Sequence, residues 1–159
     1  MYKALIELLQ AQSGLYSELL EASRQKRAYL VNSDIDAIRR VTARENGLIG
    51  KLRKAERERE KITGNLTAGL PVPAGGLTLA DLISRVDDIS LRAQLENLRL
   101  RVRSLMDDLK IVNEQNKILI NQSLEYIDFS MNLLRNAVSV PEYPGMEEIH
   151  GQVFFDARG

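Results

Sequence analysis

Apolar residues recur at spacings of three and four along most of this chain, which is the pattern of one face of an α-helix. The pattern predicts a first helix over residues 2–31 and a second over 34–63. Asn32, Ser33 and Asp34 interrupt it, and we expect Ser33 to cap the second helix, with Asp36 three residues on. The two predicted stripes are Leu5, Leu8, Leu9, Leu15, Tyr16, Leu19 and Leu20, then Ile35, Ile38, Val41, Leu48, Ile49, Leu52, Ala55 and Ile62.

A linker and a short helix are predicted next. Residues 64–77 contain four glycines and two prolines, which exclude a regular helix there. Thr78 and Asp81 have the spacing of a capping box and predict a short helix over 79–86. The chain after Pro141 has no helical period, so we expect residues 141–159 to form a flexible C-terminal tail, separate from a helical domain over 1–140.

The strongest pattern belongs to the last helix, predicted over 91–138. Its apolar stripe keeps one phase over fourteen positions from Leu91 to Ala137, and this regularity is typical of a coiled coil or a long bundle helix. Gln12 and Asn116 fall within the apolar stripes of their helices. A buried polar residue often fixes the register between helices, and a functional polar contact is the alternative.

Element lengths then predict the architecture. The tight turn should make the first two helices antiparallel, and the linker should let the last helix return beside them. We therefore expect an all-α fold: an elongated, antiparallel three-helix bundle with coiled-coil packing and one short extra helix. The last helix should exceed its partners by roughly 18 residues, or about 27 Å.

The C-terminal part of that helix, residues 118–138, is apolar on two sides. Ile120, Leu124, Ile127, Met131 and Leu134 form a second stripe beside the first. A helix with two apolar sides requires two neighbours, so an uncovered side indicates a binding surface. Cover by the first helix, by the tail or by a second copy of the chain is the alternative. The predicted partner-binding residues are Leu119, Ile120, Leu124, Tyr126, Ile127, Phe129, Met131 and Leu134.

Composition excludes several functional classes. The chain has 159 residues, 22 basic and 22 acidic side chains, no cysteine and one histidine. These counts argue against a thiolate metal site, a cysteine nucleophile and a histidine-rich metal centre. The glycine-rich stretch lacks the spacing of a phosphate-binding loop, and the neutral charge gives no field that would attract nucleic acid. We expect no enzymatic activity, no cofactor, no metal and no nucleic-acid partner.

No targeting signal is apparent near Met1, and no run of about 18 apolar residues predicts a membrane-spanning helix. The sequence is therefore expected to belong to a cytoplasmic protein that does not insert into a membrane.

Taken together, these segments resemble the FlgN-type flagellar export chaperones. The resemblance rests on the turn at Asn32–Ile35 with its following helix, the Gly/Pro-rich linker, the short TLADLI helix, and the long helix containing LKIVNEQNKILINQSLEYIDFSMNLL. The ending, FFDARG, is similar to a short tail motif of that family. Phe155 stands where the family usually has tyrosine, and residues 140–151 look like an added stretch before the motif.

The resemblance implies a chaperone of the flagellar type III export system. Such chaperones bind the C-terminal helices of the hook-filament junction proteins FlgK and FlgL and escort them to the export gate. It assigns substrate binding to the C-terminal helical part, here Leu119–Leu134, and a gate contact to Phe155, with Tyr143 as a second candidate. The alternative is a structural coiled-coil protein that self-assembles, for example as a homodimer, through its exposed apolar stripe.

Overall fold

The structure is a computed structural model that describes residues 2–68 and 77–138. Within these ranges it contains four helices and no strand: α1 (Tyr2–Val31), α2 (Ile35–Thr67), α3 (Leu79–Ser84) and α4 (Ile89–Val138). The chain divides into two compact units, Met1–Ser123 and Leu124–Gly159. The predicted all-α helical bundle is confirmed. The linker at 69–76 and the predicted tail at 141–159 lie outside the described residues.

Helices α1 and α2 form an antiparallel hairpin, as predicted. Ser23 Oγ donates to Glu45 Oε1 at 2.8 Å, and Gln12 Nε2 donates to Glu56 Oε2 at 3.0 Å. Residues near the end of α1 therefore pair with residues near the start of α2, and earlier residues of α1 pair with later residues of α2.

The expectation that Ser33 caps α2 was wrong, because the cap is Asp34. Asp34 Oδ1 accepts from the backbone N–H of Ala37 at 2.9 Å. Ser33 instead has a φ of 55°, a left-handed conformation that closes the end of α1. A residue held in that conformation cannot also adopt the backbone geometry of a helix N-cap.

Helix α2 ends at Thr67, four residues later than predicted, and passes through Gly64. Ile62 and Leu66 pack against the buried cluster described below, so tertiary contacts extend the helix beyond its sequence signal. The hydroxyl groups of Thr63 and Thr67 both donate to backbone carbonyls of the preceding turn.

Side-chain caps start the last two helices. Thr78 and Asp81 form the predicted capping box of α3, in which each side chain accepts from the other residue's backbone N–H. Asp88 Oδ1 accepts from the N–H of Leu91 at 3.0 Å, and this fixes the start of α4 just after the break predicted at Asp87 and Asp88.

Two buried clusters hold the helices of the first unit together. One joins Leu5 and Leu9 of α1, Leu82 and Ile83 of α3, Val86, and Leu95 of α4. The other joins Leu19, Leu48 and Leu52, with Leu109 of α4 packed against it. Leu95 of α4 lies with Leu5 and Leu9 of α1, and Leu109 lies with Leu19, so residue numbers rise in the same direction in both helices. Helix α4 therefore runs parallel to α1 and antiparallel to α2.

A polar layer crosses all three long helices in this unit. Glu45 is 8% exposed and accepts from Ser23 Oγ and, at 3.0 Å, from Lys26 Nζ. Asn116 is 4% exposed, and its Nδ2 donates to the backbone carbonyl of Ser23 at 2.9 Å. The prediction that Gln12 and Asn116 occupy buried positions between helices is therefore confirmed.

Candidate functional site

The exposure of the apolar stripe changes along α4. Leu95, Val112 and Asn116 are buried, and Leu119, the next stripe residue, is half-buried. From Ser123 onward the stripe positions are exposed, except for the half-buried Ser130. The heptad pattern therefore continues in the sequence after its burial has ended.

The predicted partner-binding residues lie at this change and beyond it. Leu119 and Ile120 belong to the first unit, and Ile120 is 37% exposed. The six predicted residues from Leu124 onward belong to the second unit, and each is more than half exposed. These residues are Leu124, Tyr126, Ile127, Phe129, Met131 and Leu134.

Helical geometry divides the exposed residues of the second unit into two faces. At 100° per residue, the spacings of three and four place Leu124, Ile127, Met131 and Leu134 together, forming what we call the aliphatic face. Tyr126, Phe129 and Leu133 lie on a different side of the helix, which we call the aromatic face. Leu133 is 54% exposed and was not among the predicted binding residues.

A groove in the first unit was not anticipated from the sequence. It has a volume of about 740 Å³ and lies between α2 and α4, with Leu9 and Tyr16 of α1 among its lining residues. An adjoining depression of about 410 Å³ shares Tyr16 and Met106 with it and reaches Lys117. The available signal was the cations Arg103, Lys110 and Lys117, which recur every seven residues on α4.

The α2 wall of this groove carries an ion pair. Arg59 Nε donates to Glu56 Oε2 at 3.0 Å, and this hydrogen bond lowers the pKa of Glu56 below its ordinary value of 4.5. Gln12 donates to the same carboxylate from α1. Burial beside this pair raises the pKa of the Tyr16 phenol, so its neutral form is favoured.

The described residues offer little else of chemical use. They contain no group of three or more histidine, cysteine or acidic side chains that could hold a metal ion. None of the described helices has a stretch long and apolar enough to span a membrane. Tyr143, Phe155 and the single histidine, His150, lie outside the described residues.

The distinguishing features of the described residues are therefore three long helices packed in the first unit and a last helix whose apolar side chains beyond Ser123 are exposed. The sequence profile of the family described as FlgN protein matches residues 1–143. The chain belongs to the FlgN family. No curated protein and no solved structure matches this sequence.

FlgN proteins are flagellar export chaperones, which bind export substrates. The resemblance inferred from the turn, linker and long helix is therefore confirmed. The family match includes the whole of α4 and ends at Tyr143, so Phe155 and the FFDARG motif lie beyond it.

Proposed function

We propose that this FlgN chain binds the C-terminal helices of the junction proteins FlgK and FlgL in the cytoplasm. It would then escort them to the flagellar export gate. One observation carries the proposal: the six predicted residues from Leu124 to Leu134 are between 53% and 72% exposed on one helix. Such a concentration of uncovered apolar side chains is characteristic of a protein-binding surface.

Burial of the aliphatic face would supply the binding energy. Full burial of a leucine, isoleucine or methionine side chain is worth about 1.5–3 kcal/mol, and about half of that remains available at residues already half covered. An amphipathic helix from the substrate can cover Ile127, Met131 and Leu134 together, because its own apolar residues repeat at the same spacing. The energy left after association costs suits a chaperone that must release its substrate.

The test uses the full chain and isolated C-terminal segments of FlgK and FlgL in isothermal titration calorimetry. Ile127→Asp plus Met131→Asp places two charges on the aliphatic face, and we expect binding to weaken by at least about thirtyfold. The matched control is Leu100→Asp plus Ile111→Asp, which makes the same change at exposed α4 residues outside the predicted site. Circular dichroism checks that both variants remain helical.

Unchanged binding by the aliphatic-face variant, or an equal loss in the control, would contradict the site assignment. Sedimentation separates this proposal from the structural alternative. A tight dimer that persists when FlgK or FlgL segments are added would favour self-assembly through the apolar stripe.

The contact with the export gate is proposed from the family resemblance alone. Phe155 is the first candidate, because it stands near the end of a motif in which the family usually has tyrosine. Tyr143 is the second, and it falls at the last residue of the family match.

A further inference from the structure

The groove between α2 and α4 has an apolar floor and an open side. Leu9 and Tyr16 of α1 line it together with Val102 and Met106 of α4. Met106 lines both depressions and is 47% exposed, although its side chain is apolar. The groove therefore exposes apolar side-chain surface to solvent in the first unit.

The α4 wall of the groove is cationic. Arg99 and Arg103 line the larger cavity, and Lys110 and Lys117 line the adjoining one. Arg99 is bound to Glu96 at 2.6 Å, and Lys117 lies 3.7 Å from Glu114. Glu114 also lines the adjoining depression, next to Lys117. Among the described residues, neither Arg103 nor Lys110 forms an ion pair, so cations outnumber carboxylates on this wall.

The opposite wall differs in charge. Glu56 and Arg59 neutralise each other on α2, and Glu60 adds a negative charge beside them. The groove therefore presents positive charge along α4 and a weak negative charge along α2, with apolar residues between them.

We propose that this groove binds an amphipathic helix of a protein partner that carries acidic residues along one flank. Its apolar face would cover Tyr16, Val102 and Met106, and its acidic flank would lie against α4. Arg103, Lys110 and Lys117 recur every seven residues, or about 10.5 Å along the helix. Acidic residues at the same interval on a helix beside α4 would meet all three cations.

The length of the groove favours a helix over a small anion. The larger cavity and the adjoining depression together follow α4 from Arg99 to Lys117, which is about 27 Å along the helix, or about 18 residues. A single anion would engage one or two of the cations and would leave the apolar floor exposed. This site is distinct from the aliphatic face of the second unit, so it can stand even if the proposed junction-protein binding fails.

The experiment measures the binding of two labelled 18-residue helical peptides to the full chain by fluorescence anisotropy. The peptides share one apolar face and differ at three flank positions seven residues apart, which carry Glu in one and Lys in the other. We expect the Glu peptide to bind at least tenfold more tightly at low salt, with the difference shrinking as salt rises.

Two groove variants test where the peptide binds. Arg103→Glu plus Lys110→Glu should weaken the Glu peptide by about tenfold, and Arg103→Gln plus Lys110→Gln should weaken it less. Lys51→Glu plus Arg101→Glu is the matched control, since both residues are exposed and neither lines the groove. Neither groove variant should change the binding of FlgK or FlgL segments to the aliphatic face.

The proposal is overturned if both peptides bind equally or if the control weakens binding as much as the groove variants do. Binding of the same proteins to phosphatidylserine vesicles is measured alongside. The proposal is also overturned if the groove variants bind the vesicles less well but still bind the Glu peptide, because the cations would then contact a membrane surface. Loss of FlgK and FlgL binding together with Glu-peptide binding in the groove variants would move the proposed substrate site from the C-terminal segment to this groove.

Discussion

At the scale of single residues, the polar layer shows what a sequence pattern reveals and what it hides. Gln12 and Asn116 interrupt apolar stripes, so their burial could be predicted. Ser23 follows Leu19, and Glu45 lies between Val41 and Leu48, at the same spacings of three and four, so both also occupy stripe positions. What the period does not show is that the two side chains satisfy each other across the hairpin. A pairing between residues 22 positions apart leaves no local periodic signal.

Asn116 also explains why register has a cost in this fold. Its Nδ2 binds the Ser23 carbonyl, while its Oδ1 is buried without a hydrogen-bond partner among the described residues. A buried, unsatisfied oxygen destabilises the folded state by about 1–3 kcal/mol. In the observed alignment, Asn116 keeps one hydrogen bond, from its Nδ2. A shifted packing of α4 on α1 would lose that bond as well, so Asn116 disfavours other registers.

Glu56 should contribute to the pH dependence of stability. Its bond with Arg59 lowers the folded-state pKa, so the unfolded chain binds a proton more readily than the folded one. The contribution is present above the ordinary value of 4.5 and is lost as pH falls through the lowered value. We expect the free energy of unfolding, measured in urea, to fall less in Glu56→Gln than in the parent chain when the pH is lowered from neutral to below 4.5.

The control for that measurement is Glu58→Gln. Glu58 pairs with Lys61 at 2.9 Å, but both side chains are more than half exposed, and such surface pairs contribute little. If the free energy of unfolding falls equally steeply with decreasing pH in the parent chain and in Glu56→Gln, the Arg59 bond does not contribute.

At the scale of elements, the predicted helices were found where the apolar period was long. Both ends of α1 match the prediction, and the end of α4 at Val138 matches as well. The end of α2 was predicted too early, because Gly64 was assigned to the linker. Local glycine content indicated a stop, while the contacts of Ile62 and Leu66 with the core favoured continuation.

Gly64→Ala should therefore stabilise α2. A Cβ added at this position has no heavy atom within 4 Å, and the residue lies inside a helix. Replacing glycine with alanine in a helix interior is worth about 1 kcal/mol, because the unfolded chain loses less entropy on folding. The gain should appear as a higher urea midpoint with an unchanged slope. Gly64→Pro should lower the midpoint, and a gain or no change with Pro would indicate that this turn is not helical.

At the scale of the whole molecule, the sequence predicted the fold better than the binding surfaces. The heptad stripe and the tight turn were sufficient to predict an antiparallel hairpin with a third long helix. The same stripe is buried at Leu95 and exposed at Ser123, and serine occupies its positions 123 and 130, after burial has ended. Where burial ends depends on the lengths of the partner helices, which could be predicted only approximately.

The groove shows a second limit of sequence reasoning. Its cations on α4 looked like part of a solvated, mixed-charge face, since Asp and Glu residues alternate with them in the sequence. Only the packing of α1, α2 and α4 shows that Arg103 and Lys110 line two adjoining depressions that share Met106.

The division into two units predicts that stability and substrate binding can be separated. Every residue of the two buried clusters lies within Met1–Ser123, and none of the described side chains from Leu124 to Ala137 is buried. A chain ending at Ser123 should therefore unfold at nearly the same urea concentration as the full chain, because little apolar area is re-exposed. It should also lose its affinity for FlgK and FlgL segments, since the aliphatic face is removed.

A chain ending at Val138 is the matched control, and it should retain both properties. A large fall in the midpoint on truncation at Ser123 would show that the second unit contributes to the core, and retained binding would exclude the aliphatic face as the substrate site.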